Sequence, residues 1–513
     1  MPETSTGIPF KKIVIVGGGT AGWMTAALLS KFLTAGYEIC LVESEEIGTI
    51  GVGEATIPAI KIFNRLLAVD QAEVMKATQA SFKLGIEFAD WRRKNHTYIH
   101  GFGKIGKDLL WLRTHQFWLK MFPRGGFKDF DFYSINALAA RKGRFGMGRA
   151  DRPNSPLADI DYAYHFDASL YARYLRAYAE QRRVKRVEGK IVRVKQRPED
   201  GFIASVVLQN GREIPGELFI DCSGIRALLI GQTLGIGYDA WNRWLLCDRA
   251  LAVPCASAPE LLPYTRSTAR DAGWQWRIPL QHRIGNGLVY SSSLMDDDGA
   301  ARALFANLDG AVLAEPRLVK FTPGKRRKTW EKNCVAIGLS SGFLEPLEST
   351  SIHLIQTAIL RLVALFPGRG FPHADTEEFN RLTDFEYVNI RDFIIAHYKV
   401  TEREDTPFWA YCKHMDIPDA LRERLNLFKS TARFFKRSEA ELFREESWVQ
   451  VLLGQGLNTG SYDPMVDLVP EDQIVGYLKD IEDVIADTVD TLPRHGDYIA
   501  QYCRAVHGEN ASA

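Results

Sequence analysis

The residues best placed to do chemistry stand near the start of the chain. Gly17, Gly19 and Gly22 fit Gly-x-Gly-x-x-Gly. They follow the apolar run Lys12-Ile13-Val14-Ile15-Val16 and precede a stretch from Thr25 to Leu33 that reads as a helix. In a strand–turn–helix unit the first glycine makes the turn and the second lets a pyrophosphate approach the backbone. The third lets helix and strand pack closely. The helix start then offers phosphate oxygens free N–H groups and the positive end of its dipole. A second strand, Glu38-Ile39-Cys40-Leu41-Val42, ends in Glu43. That is about 20 positions beyond the third glycine, where an acid holds a ribose hydroxyl. Strand, turn, helix and acid in this order predict a dinucleotide site. The glycines alone also fit a tight turn in an ordinary α/β unit.

Three further stretches carry residues of chemical interest. The segment from Ile47 to Pro58 has glycine at 48, 51 and 53. This predicts a loop whose backbone approaches something closely, either a wrap over a cofactor or a flexible connector. Ser81-Phe82-Lys83-Leu84-Gly85-Ile86-Glu87-Phe88 alternates. Phe82, Leu84, Ile86 and Phe88 are expected on one face of a strand, and Lys83, Gly85 and Glu87 on the other. By pattern alone, Lys83 belongs to a solvent face. Cys334-Val335-Ala336-Ile337-Gly338-Leu339 reads as a short strand that leads, through residues 340–351, into an amphipathic helix from Ile352 to Val363. The N-terminus of that helix is a second place for a small anion or an electron-rich ring edge.

Other elements must hold these parts. Residues 59–80 read as helical. Residues 96–150 are rich in aromatics with poor periodicity, which predicts an irregular insertion that lines an apolar pocket or packs a loop-rich subdomain. Leu170 to Gln181 reads as a helix, followed by strands around 185–194 and 202–209 that turn at Asn210-Gly211. Glu217 to Gly224 reads as a buried strand, ending where doubly wound folds face their ligand crevice. Residues 240–295 read as strands, with Trp274, Trp276 and Ile278 on one face, as core packing also requires. From about 370 the pattern is largely helical.

Composition narrows the partners. The 513 residues are 46% hydrophobic and 25% charged, as in ordinary soluble proteins, with a formal net charge of +1. This points to neither nucleic acid nor an anionic membrane as a partner. Seven widely spaced cysteines without Cys-x-x-Cys fit reduced thiols in a cytosol and indicate no metal site. Met1-Pro2-Glu3-Thr4-Ser5 does not open a signal peptide, and no run is apolar enough to span a bilayer. A cytoplasmic location is expected.

Taken together, these stretches resemble the flavin-dependent halogenases, the tryptophan halogenase family, over at least residues 12–360. The Gly17–Gly22 turn is shared with many flavoenzymes. Four stretches are more specific: Gly51-Val52-Gly53-Glu54-Ala55-Thr56, Ser81-Phe82-Lys83-Leu84-Gly85, Trp274-Gln275-Trp276-Arg277-Ile278-Pro279 and Pro346-Leu347-Glu348-Ser349-Thr350. The tryptophan pair separates these halogenases from related monooxygenases. The resemblance implies an α/β fold with a Rossmann-like FAD-binding domain of the flavin monooxygenase type and a largely helical second, substrate-binding part. It also implies FADH2-dependent chlorination or bromination of an electron-rich aromatic. A separate flavin reductase, transiently bound, supplies FADH2. Oxygen converts it to a C4a-hydroperoxide, and halide attack yields hypohalous acid, which travels through an internal tunnel to a lysine beside the substrate. By motif match that lysine is Lys83, which hydrogen-bonds the hypohalous acid or forms a haloamine. Glu348 matches the acidic partner that orients the electrophile or takes the ring proton. The chloride or bromide site falls around Thr350 and Ser351, the latter standing where the family often has glycine. Cofactor contacts carry over to Gly17, Gly19, Thr20, Ala21, Gly22, Glu43, Val187, Leu339 and Ile352. His100 and Phe102 resemble the ring-stacking segment, Trp274 and Trp276 join the substrate pocket, and Trp448 closes it from the helical part.

The expected FAD-binding domain is discontinuous, at 10–95, 155–240 and 325–365, with 96–154, 241–324 and 366–513 forming the substrate-binding part. Two other readings compete: a flavin monooxygenase or oxidase of the same fold, and a flavin-binding protein without catalysis. The tryptophan pair and Lys83 argue against the first, and Lys83 with Glu348 against the second. The substrate is expected to be a small aromatic, with a free indole first, because no residues that would hold an amino acid's ammonium and carboxylate stand out. A homodimer is allowed for.

Overall fold

The structure, a computed structural model, describes residues 11–33, 36–47, 53–368 and 370–505. The expected glycine loop therefore lies partly outside the described residues, at 48–52. Lys12–Val16 is the centre of a six-stranded sheet. It pairs in parallel with Glu38–Glu43 on one side and Leu218–Asp221 on the other. Lys185–Glu188 and Cys334–Ala336 extend the sheet in parallel, and Trp330–Glu331 closes one edge antiparallel. The central strands are apolar on both faces, as a parallel sheet covered on both sides requires. Ile13, Ile15 and Leu41 face a core that includes helices Thr20–Phe32 and Ser351–Ala364. Val14, Val16, Val42 and Phe219 face a second, smaller cluster.

A seven-stranded sheet forms the other layer. Its order is Arg317–Lys320, Arg249–Cys255, Ile284–Tyr290, Gly273–Pro279, Thr265–Arg270, Gly85–Ala89 and Thr97–Gly101. Gly85–Ala89, in the segment expected to bind FAD, pairs with Thr97–Gly101 and Thr265–Arg270, both in segments expected in the substrate-binding part. A small third sheet contains Gly53–Ala55, Ala163–Asp167 and Ser81–Lys83. The C-terminal region is helical, dominated by His373–Lys399, whose last turns are buried around Phe393, His397 and Tyr398. Among the described residues no helix is long and apolar enough to cross a membrane.

The alternating segment 81–88 corrects the sequence reading. It is two strands in two sheets, not one. The break falls at Leu84, whose N–H donates to the Pro263 carbonyl at 2.7 Å and whose carbonyl accepts the Phe102 N–H at 2.8 Å. Gly85 makes the crossing possible: a Cβ there would lie 2.4 Å from the His100 carbonyl oxygen. Lys83 therefore ends a strand inside the protein, with 0% exposure, and not on a solvent face. Alternation shows which side chains share a face, but not whether a second layer covers that face.

Candidate active site

The glycine turn has the geometry its spacing predicts. Gly17 has φ +115°, and a Cβ there would meet the Cys222 carbonyl oxygen at 2.2 Å. At Gly22 a Cβ would lie 1.9 Å from the Gly17 carbonyl oxygen, so helix and strand touch through bare backbone. At Gly19 a Cβ would meet nothing within 4 Å. Gly19 is also the N-cap of Thr20–Phe32 and supplies no side-chain cap, so the first N–H groups, near Thr20 and Ala21, face open space. These residues fit a dinucleotide pyrophosphate. Glu43 sits against Gly18 and is ion-paired with Arg186 and, at 3.8 Å, with Arg176. Val187 lies in register with Val42 and buries its side chain in an apolar cluster, which leaves its backbone for any cofactor contact. Leu339 is half-buried on the turn Gly338–Ser340, while Ile352 is a core residue of Ser351–Ala364.

The strand that carries Lys83 is pinned on both sides. The Ser81 hydroxyl donates to the Pro279 carbonyl at 2.6 Å, so its oxygen receives the His165 Nδ1 hydrogen at 3.0 Å. His165 Nε2 then accepts from the Thr265 hydroxyl at 2.8 Å. This makes His165 a neutral ring, in keeping with burial, which pushes its pKa well below the usual value. The Phe82 N–H donates to His495 Nε2 at 3.1 Å. Thus fixed, Lys83 donates from Nζ to Ser349 Oγ at 2.7 Å and lies 5.2 Å from the centre of the Phe102 ring. Burial lowers its pKa to about 7, against the opposing pull of the Glu348 charge. Near neutral pH both amine and ammonium are accessible.

Glu348 lies on the 3-10 turn Pro346–Glu348, followed by Ser349 at φ +58°, a strained conformation that aims the serine hydroxyl at the lysine. Two histidines hold its carboxylate. His100 Nδ1 is 3.1 Å from each oxygen, and His397 Nε2 is 2.8 Å from Oε1. Burial alone would raise this carboxyl, but the His100 charge and hydrogen bonds from both rings outweigh it and hold it at about 2. Gln450 fixes the strand under His100: its amide accepts from the Gly101 N–H at 3.0 Å and donates to the Gly101 carbonyl at 3.2 Å.

Thr350 is the N-cap of Ser351–Ala364, and its buried Oγ1 has no hydrogen-bond partner among the described residues. An orphaned hydroxyl at a helix N-terminus, with the Ser351 N–H beside it, fits a small anion such as a halide. Trp274 and Trp276 back the site from the other side. The Trp274 indole donates to Glu345 Oε2 at 2.8 Å, and the Trp276 ring lies over Gly287, the glycine opposite it in register. Trp448 lies in the helix Glu445–Gly454 and is buried. It packs edge-on against Phe393, 4.8 Å between centres, one ring behind His100. Sequence reasoning missed His397, Ser349 and Gln450. His397 lies within a run of buried residues on a long helix and reads as a core histidine.

A family model described as Tryptophan halogenase matches residues 12–471. The chain belongs to the tryptophan halogenase family. This halogenase is 35% identical to Tryptophan 6-halogenase SttH of Streptomyces toxytricini, across 95% of this chain and 98% of that one. Its fold matches Xcc4156, a flavin-dependent halogenase from Xanthomonas campestris, with TM-score 0.93 and 49% identity over 97% of this chain and 99% of that one. BrvH, a flavin-dependent halogenase from Brevundimonas sp. BAL3, matches with TM-score 0.92 and 46% identity over 96% and 99%. The protein is thus an enzyme that uses flavin and halide, works with a separate flavin reductase and acts on an aromatic substrate.

Proposed function

We propose that this enzyme chlorinates or brominates a small free indole, with Lys83 holding the halogen electrophile and Glu348 taking the ring proton. The observation that carries this reading is the placement of Lys83: fully buried, bonded to Ser349, beside the Phe102 ring and one residue from a carboxylate held by two histidines. Reduced FAD, when bound at Gly17, Gly19 and Gly22, supplies hypohalous acid from oxygen and the halide held near Thr350. Lys83 receives the halogen by hydrogen bond, or as a haloamine in which an N–X bond forms and the O–X bond breaks. The ring carbon then takes the halogen, and the displaced ring proton passes to Glu348. Both steps need the dry site that these residues share, because hypohalous acid in water is unselective. An indole is favoured because the charged groups around Lys83 are committed to one another, leaving none assigned to an amino acid's ammonium and carboxylate.

The test is a panel of indoles, phenols and tryptophan with a flavin reductase and either chloride or bromide, with products read by mass. We expect monohalogenated indoles to exceed halotryptophan. Tryptophan as the better substrate overturns the indole assignment. Hydroxylated products without halogen support the monooxygenase alternative.

A further inference from the structure

The helix His373–Lys399 sends two consecutive residues to the two glutamates of Glu345-Pro346-Leu347-Glu348. Tyr398 donates to Glu345, and His397 meets Glu348. The His397 contacts fix its protons. Its Nδ1 lies 2.8 Å from the Phe393 carbonyl oxygen, which can only accept, so Nδ1 carries hydrogen. Its Nε2 lies 2.8 Å from Glu348 Oε1, also an acceptor when ionised. With Glu348 as a carboxylate, His397 is therefore an imidazolium. The ring is 0% exposed and packed between Phe88 and Phe393, each 4.9 Å away, with Trp91 at 6.3 Å. Bulk solvent does not reach the pair.

The other titratable groups around it are few. From the strand Thr97–Gly101 come His100, on the same carboxylate, and Tyr98, whose buried hydroxyl has no partner among the described residues. Glu348 faces it from the 3-10 turn, and beyond Glu348 lies Lys83, with His165 behind it. Glu345 belongs to the adjoining Tyr398–Trp274 network. Lys83 donates to the hydroxyl of Ser349, the residue that follows Glu348, so the charge balance of Glu348 with His397 and His100 reaches the lysine.

We propose that His397 is a positioning residue, a standing counter-ion that aims Glu348 and, together with His100, limits the negative charge that Glu348 presents to Lys83. This rests on the roles given above to Lys83 and Glu348. Removing the imidazolium leaves His100 as the remaining cationic partner of Glu348, so more of the carboxylate's charge acts on Lys83, which favours the ammonium form. Removing both partners removes that added charge.

The experiment titrates Lys83 in the FAD-loaded enzyme by NMR of lysine labelled with 13C at Cε, the signal being assigned by its loss in Lys83→Met. In wild type the midpoint is expected near 7. His397→Gln is expected to raise it by about one unit or more, a tenfold change in the ammonium-to-amine ratio. The Glu348→Gln/His397→Gln double variant is expected to abolish that rise. Glu348→Gln alone is expected to lower it, because the negative charge that favours the ammonium is gone. The acid limb of the kcat profile in His397→Gln should move up with the lysine while KM for the substrate changes little. An unshifted lysine in folded His397→Gln overturns the proposal, as does a double variant that keeps the shift. If His397→Gln does not fold, Glu348→Gln decides: a midpoint that does not fall means that the Glu348 charge, and with it any counter-ion on it, does not reach the lysine, and overturns the proposal. The titration needs no turnover, so failure of the catalytic assignment appears separately, as undiminished product from Lys83→Met.

Discussion

Lys83 has its amine out of water, and two consequences follow at the scale of that residue. The first is chemical. Replacing it with methionine leaves the glycine turn and Thr350 intact, so reduced flavin should still be oxidised. Halogenated product should fall by about two orders of magnitude or more, because the electrophile is no longer held against the ring. Flavin absorbance and product mass in one reaction check this, and a parallel loss of both would place the lysine elsewhere in the cycle. The second is energetic. Burial lowers the folded pKa from 10.5 to about 7, so between these values the unfolded chain binds the proton that the native lysine lacks. The lysine's contribution to stability therefore rises with pH across that window and is least favourable below about 7. Lys83→Met should be at least as stable as wild type below pH 7, with any advantage shrinking as pH rises toward 10.5. Urea denaturation at several pH values measures it.

At the scale of elements, the site is assembled from two helix N-termini and one broken strand. Thr20–Phe32 and Ser351–Ala364 both begin without a side-chain cap, at Gly19 and Thr350, and each leaves donors for an anion. The two starts differ in what space is left. A side chain at Gly19 has no neighbour to strike, so the native fold tolerates it, yet it would occupy the approach of a pyrophosphate. Gly19→Val should keep the wild-type circular dichroism and melting behaviour while losing flavin binding, read by fluorescence titration. Normal FAD affinity in that variant would show that the phosphates bind elsewhere. The broken strand works through Gly85, where bare backbone lets one chain pass from the small sheet into the large one and turns Lys83 inward.

At the scale of the whole molecule, the described residues hold one glycine turn that runs from a strand straight into a helix. Gly101, Gly103 and Gly106 repeat the glycine spacing after a strand, but the next α-helix begins only at Thr114. That strand pairs antiparallel with Gly85–Ala89, so no helix N-terminus stands ready for phosphate. If the Gly17–Gly22 turn holds FAD, the described residues offer no second turn of that kind for a nicotinamide dinucleotide. NADH without a reductase should therefore give no halogenated product and no NADH oxidation above the protein-free rate. Adding a flavin reductase should restore both. The chain also closes on itself around the site: His495, near its end, accepts the Phe82 N–H beside Lys83.

The glycine turn was legible in the sequence because turn, cap and helix start are local, and their geometry depends on residues within one short stretch. The six-stranded sheet followed from β-branched runs ending at Glu43 and Gly224, since parallel strands are apolar on both faces. Lys83 was visible only through family resemblance, because its alternating neighbours gave it a solvent face. That face is covered by chain that sequence periodicity does not see. The grip on Glu348 lay further out of reach. Its histidines stand 248 and 49 residues away; the resemblance placed His100 only in the ring-stacking segment, and His397 reads as an ordinary buried ring. Local sequence determines backbone shape and amphipathic faces through sterics and hydrogen bonding between near neighbours. Burial, proton sharing and the charge state of a lysine depend on which distant side chains exclude water around it, and only the tertiary structure decides that.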